Sequence, residues 1–214
     1  MDQDKPRPAR PKQTTRARIL DAAERLLGQG DAGFSMRELA EEAGVSFATP
    51  FNQFGSKAGI MLALSERRID AMRDRLARAA LPATAVARVL VAVDIATAVM
   101  LGAPAVNRAV MAAVSAPNDP PGNVAGRSAA WWAEALGSGA ELPAATRSLA
   151  LTVLPHQLAI AFRGVLSFWT AGELADEGLS RQARAAAAGV LLGFSGAEDR
   201  ARLMALLEAG SGRS

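Results

Sequence analysis

Residues 34–55 read FSMRELAEEAGVSFATPFNQFG, and this stretch constrains the fold more than any other part of the chain. Ser35 followed by Glu38 is a capping box, in which the hydroxyl accepts from the amide at 38 and the carboxylate from the amide at 35. Phe34 and Leu39 flank it as a hydrophobic staple. Met36, Leu39, Ala40 and Ala43 then recur at i, i+3, i+4 and i+7, the spacing of one apolar helix face. Gly44 stands where a left-handed residue ends a helix. Start and stop are so close that only about two turns of helix fit between them. A second short helix is expected next, with Ser46 as its cap, Pro50 in its fourth helical position and Gly55 as its stop. Phe51 and Phe54 share a face of it and are expected to lock the corner onto its neighbours.

The flanks suit that corner. A helix beginning near Thr14 or Thr15 carries Ile19, Ala23, Leu26 and Leu27 on one stripe and ends among Gly28, Gly30 and Gly33. After Gly55, Ser56 can cap a long helix reaching to about Pro82, with Ile60, Leu64, Met72 and Leu76 inward. Arg67, Arg68, Arg73, Arg75 and Arg78 fall mostly on its outer side. Two short helices joined by a glycine turn, behind a supporting helix, form a helix-turn-helix. The second must be short for its N-terminal end to enter a major groove about 12 Å wide. Its outer face offers Ser46, Ala48, Thr49, Asn52 and Gln53 to bases. Lys57 sits in the first turn of the long helix, where a cation is unfavourable to the helix dipole and a phosphate would explain it.

Charge and composition narrow the function class. The net charge is +3, and residues 1–78 hold 14 Lys/Arg against 11 Asp/Glu, while the remainder is balanced. Lys5, Arg7, Arg10, Lys12, Arg16 and Arg18 make residues 1–18 a basic arm, suited to a polyanionic partner. With no cysteine and one histidine, His156, neither a disulfide framework nor a multi-histidine zinc site is available, and no cofactor is implied. No GxSxG elbow, phosphate-binding glycine loop or metal-ligand cluster points to an enzyme. No secretory signal is evident. The most membrane-like run, 149–169, contains Pro155, His156, Gln157 and Arg163 and reads better as a buried helix of a cytoplasmic protein.

"TRARILDAAERLLGQGDAGFSMRELAEEAGVSFATPFNQFGSKAGIMLAL", residues 15–64, resembles the N-terminal DNA-binding domain of the TetR family of bacterial transcriptional regulators. The resemblance implies an all-α chain: a three-helix helix-turn-helix domain over 13–73, followed by a helical effector-binding and dimerisation domain over 83–214. It places Phe51 at an aromatic phosphate-contacting position that is most often tyrosine, Gln53 at a position that is usually histidine, and Phe47 at one often charged. It also implies Arg37 and Lys57 on phosphates and the arm near Lys12 and Arg16 on the backbone or minor groove. Ser35 joins this set through the free amides of the helix it caps. The implied partners are an operator duplex, a small effector and a second copy of the chain. The implied mode is repression, relieved when a hydrophobic or aromatic effector tilts the long fourth helix.

Past Pro82 the alanine- and leucine-rich sequence breaks into expected helices at about 84–101, 104–115, 124–136, 144–171, 180–193 and 197–208, with Pro155 kinking or dividing the fourth of these. Candidate effector contacts are Met100, Met111, Trp131, Trp132, His156, Phe162 and Arg163. Residues 146–171 and 180–193 are the expected dimer face, with Ala183, Ala186, Ala187, Gly189 and Gly193 allowing close helix approach, although the same small residues could serve packing within one chain. The alternative to an effector-controlled regulator is an effector-independent DNA-binding or structural helical protein.

Overall fold

The computed structural model of the chain describes residues 14–30, 33–117 and 122–211. Among them are ten α-helices and no strand. The chain divides into two compact units between Lys57 and Ala58.

The first unit contains α1 (Thr15–Gly28), α2 (Met36–Glu42) and α3 (Ala48–Phe54). Thr14 caps α1 by accepting from the Ala17 amide at 3.2 Å. The capping box of α2 is complete: the Glu38 amide donates to Ser35 Oγ at 3.2 Å and the Ser35 amide to Glu38 Oε2 at 2.7 Å. The other end of α2 is a Schellman turn, since the Val45 amide bonds Ala40 O and the Gly44 amide bonds Glu41 O. That turn needs a left-handed residue, and Gly44 supplies it with φ +62°. α1 packs on α2 and α2 on α3, burying Ile19, Leu20, Ala22, Ala23 and Leu27 of α1, Leu39 and Ala40 of α2, and Phe34 before it.

Two details of α3 differ from expectation. Its N-cap residue is Phe47, with no side-chain cap. Ser46 Oγ instead pairs with Thr49 Oγ1 at 2.7 Å. Pro50 therefore stands one place nearer the helix start, where its missing N–H removes no intrahelical bond, and it is the buried residue of α3.

The helix α4 (Lys57–Arg78) begins at the last residue of the first unit and continues into the second. It ends four residues short of Pro82. The second unit adds α5 (Ala85–Leu101), α6 (Pro104–Ser115), α7 (Val124–Leu136), α8 (Ala144–Thr170), α9 (Asp176–Leu191) and α10 (Ala197–Ser211), with a 3-10 turn at Leu192–Phe194. One apolar core runs through it, from Ile69, Met72 and Leu76 of α4 through α5, α7, α8 and α9 to Leu203 of α10. α8 carries Pro155 inside an undivided span of 27 residues and buries Leu154, Leu158, Phe162, Leu166 and Trp169. This helix is long and apolar enough to cross a membrane, but one face of it belongs to this core.

The start of α9 at Asp176 corrects the expected break through 179. Asp176 accepts from Trp169 Nε1 at 2.7 Å and from Arg108 Nη2 at 2.6 Å, which anchors a first turn that Gly178 alone would weaken. The small residues of α9 serve the chain's own packing. Ala183 and Ala187 are buried in the core, a Cβ on Gly189 would lie 3.7 Å from Leu207 of α10, and one on Gly210 would lie 2.3 Å from Ala185 Cβ.

Candidate functional site

The corner of the first unit is held by three arginines of α1 that reach helix C-termini. Arg18 Nη2 donates to Ala43 O at 2.7 Å and to Gly44 O at 2.9 Å. Arg25 pairs with Glu42 at 2.5 Å. Arg16 Nη1 donates to Gln53 O at 3.1 Å, and its guanidinium lies 4.3 Å from the centre of the Phe54 ring. Each cation meets carbonyls or a carboxylate at the negative end of a helix. Arg18 and Arg25 are absent from the expected site, since contacts across more than ten residues leave no local pattern. Their only signal is an arginine run on a helix whose apolar stripe faces elsewhere.

Clamped in this way, α3 is solvent-facing along most of its length. Ser46, Phe47, Ala48, Phe51, Asn52 and Gln53 are exposed and Thr49 is half-buried. Ser35 and Arg37 are exposed at the start of α2, and Arg16 on α1. Lys12 lies outside the described residues. The expectation that Phe51 locks the corner is corrected: Phe47 and Phe51 are 57% and 40% exposed and pack edge to face on each other at 5.4 Å. With Pro50 turned inward, the residue after it must face out. Phe54 does tie the corner, through Arg16. Lys57 Nζ rests 4.8 Å from the centre of the Phe34 ring, in space that a Cβ on Gly33 would invade at 2.5 Å. The Glu38 carboxyl is held below its ordinary value, first by the Ser35 amide, next by the Ser35 hydroxyl and only weakly by the Lys57 charge. Exposed amide, hydroxyl and methyl groups on a two-turn helix, beside cations, can meet base edges and phosphates.

The second unit contains a partly open cavity of about 470 Å³, within the size range typical of small-molecule sites. Met100, Met111, Trp131, Trp132, His156, Phe162 and Arg163 all line it. So do residues not expected as effector contacts: Leu62, Ser65, Arg68, Ile69 and Met72 of α4, and Asn107 of α6. The wall is mostly apolar and aromatic, with Trp132 edge-on to Trp131 at 4.6 Å and to Phe162 at 5.7 Å. Arg68 is not on the outer side of α4 as expected. Its Nε donates to Asn107 Oδ1 at 2.6 Å, while Asn107 Nδ2 satisfies the Val99 and Met100 carbonyls at the end of α5. A buried asparagine in PAVNRAVM was the available signal. Arg163 is half-buried, and desolvation lowers its pKa.

Residues 19–64 match the sequence model of "Bacterial regulatory proteins, tetR family". Among solved structures, the chain is similar to a TetR transcriptional regulator from Rhodococcus sp. RHA1, with 24% identity and a TM-score of 0.66. The match covers 85% of this chain and 98% of that one. No curated protein sequence matches the chain.

Proposed function

We propose that this chain is a DNA-binding transcriptional regulator of the TetR family, a reading supported by the match of residues 19–64 to that family's model, that α3 reads operator bases in the major groove, and that a small molecule in the cavity of the second unit controls this reading. The observation that carries the first half is α3 itself: a two-turn helix held by Arg16 and by the Arg18-clamped turn before it, with its outer residues free. Thr49, Asn52 and Gln53 take base edges. Phe47, Ala48 and Phe51 offer apolar surface to thymine methyls and sugars, and Ser46 orients Thr49. Ser35, Arg37, Lys57 and Arg16, with Lys12 on the preceding arm, serve phosphates. The reading domain, expected over 13–73, ends as a compact unit at Lys57, so the rest of α4 goes with residues 83–214 in the effector and dimerisation unit.

The second half rests on α4. Lys57, its first residue, belongs to the reading unit, and five of its later residues line the cavity. A ligand that binds better to one setting of this helix shifts the population of DNA-competent molecules. An apolar, aromatic wall favours a hydrophobic or aromatic effector, and the mode is repression relieved by that effector. The working form is a cytoplasmic homodimer. Its proposed face is the outward side of α8, where Leu149, Ile160 and Phe168 are exposed within about 100° of helix circumference.

The test is duplex selection from a random pool, followed by competition with random duplex at physiological salt. The reading predicts specific binding at least about 10³-fold tighter than non-specific. Indifferent binding would instead favour a structural DNA-binding role.

A further inference from the structure

We propose that the occupant of the cavity is an amphipathic organic anion, an apolar or aromatic body bearing one carboxylate-like group, and that Arg163 is the residue that receives that group. The inference rests on reading the cavity as the effector site and names the chemistry of its ligand.

The charges on the cavity wall are one-sided. Among the described residues, Arg68 and Arg163 line it and no aspartate or glutamate does. Arg68 already serves Asn107. Arg163 differs in its partners from six other arginines of its unit. Arg73 meets Glu134, Arg108 meets Asp176, Arg127 meets Asp70 and Arg184 meets Asp94. Arg88 and Arg147 donate to backbone carbonyls. Arg163 has neither kind of partner among the described residues. Its Nη1 lies 3.6 Å from the Met111 thioether sulfur, a weak acceptor, and its Nη2 donates to Ser115 Oγ at 2.7 Å.

That hydroxyl gives its own proton to Met111 O at 2.7 Å, so its lone pair is fixed toward the guanidinium. Arg163 is thereby oriented without being neutralised. A guanidinium has five N–H donors and remains charged at any ordinary pH, so several donors are left for an incoming group. A desolvated cation without a counter-ion is costly, and an anion entering the cavity offsets that cost. The remainder of the wall, with Trp132 and Phe162 edge to face and Met100 beside them, requires the body of the same molecule to be apolar.

The experiment uses the full-length protein and three probes that share one ring system: 1-naphthoate, 1-naphthalenemethanol and 1-naphthalenemethylammonium, each titrated by calorimetry. In the wild type, naphthoate binds about tenfold or more tighter than the alcohol, and the ammonium probe binds weakest. Arg163→Gln brings naphthoate to within about twofold of the alcohol, while Arg163→Lys keeps part of the preference. Equal binding of acid and alcohol in the wild type, or a preference that survives Arg163→Gln, overturns the anion assignment and leaves the effector cavity standing. If none of the three probes binds at millimolar concentration, the cavity reading itself falls, and the assignment with it.

Discussion

Gly44→Ala is the sharpest probe of how the reading helix is positioned. The residue sits at φ +62°, where an L side chain costs roughly 1–2 kcal/mol. Reduced freedom of the unfolded chain returns about 0.4–1 kcal/mol of that, so the backbone part comes to about 1 kcal/mol. The added Cβ would also lie 3.2 Å from Arg18 Nη2, the atom that holds Ala43 O and Gly44 O. Losing two such bonds would cost several kcal/mol in a dry site. Arg18 is exposed, so water replaces much of the loss, and about 1 kcal/mol is the reasonable share. The sum is about 2 kcal/mol, or roughly thirtyfold in a local opening equilibrium. Hydrogen exchange of the 36–54 amides reads this directly. Gly30→Ala is the control, with φ +92° and nothing within 4 Å of its new Cβ; it carries the backbone term alone. In an Arg18→Ala background, Gly44→Ala should lose the arginine share and fall to about fivefold. Exchange of 36–54 within twofold of wild type, or strict additivity of the two substitutions, would refute the clamp.

Two further outcomes follow from particular contacts. The Glu38 carboxyl titrates below its ordinary value of 4.5 because its charged form accepts the Ser35 amide; its contribution is therefore full above that value and lost as pH falls through the depressed one. Thermal melts of wild type and Glu38→Gln should differ by a constant gap from pH 7 to about 5 that closes in more acid solution, whereas a gap unchanged at pH 3 would contradict the assignment. Phe168→Glu, at a position 57% exposed, should leave the monomer's helix content intact and raise the dissociation constant of the proposed dimer by tenfold or more in sedimentation velocity; an unchanged constant, or a wild type that stays monomeric, would contradict the proposed face on α8.

What could be read from the sequence was what local chemistry writes. Ser35 with Glu38 and Gly44 mark the bounds of α2 because a cap and a left-handed stop are decided within a few residues. Pro104 marks the start of α6 because its fixed φ suits a first helical position. Helix rotation was less legible. Two phenylalanines three apart suggested one packed face, but the buried Pro50 fixes the orientation of α3 and turns Phe51 out beside Phe47. Long-range polar partners were not legible at all. Arg18 on the α2 turn, Asn107 on the end of α5 and Asp176 beneath Trp169 are each satisfied by groups distant in sequence. The seven residues named as effector contacts line one cavity, but their polarity pattern emerges only when Arg163 is compared with the paired arginines around it.

The central claim is that exposed side chains of α3 choose the DNA sequence. Parallel selections from one random duplex pool with wild type and with Asn52→Ala test it most directly. The account predicts that the wild type enriches paired half-sites and that the variant enriches sites changed at one position in each half, with about 1–3 kcal/mol of discrimination lost there. An identical motif from both proteins, bound uniformly more weakly by the variant, would contradict it.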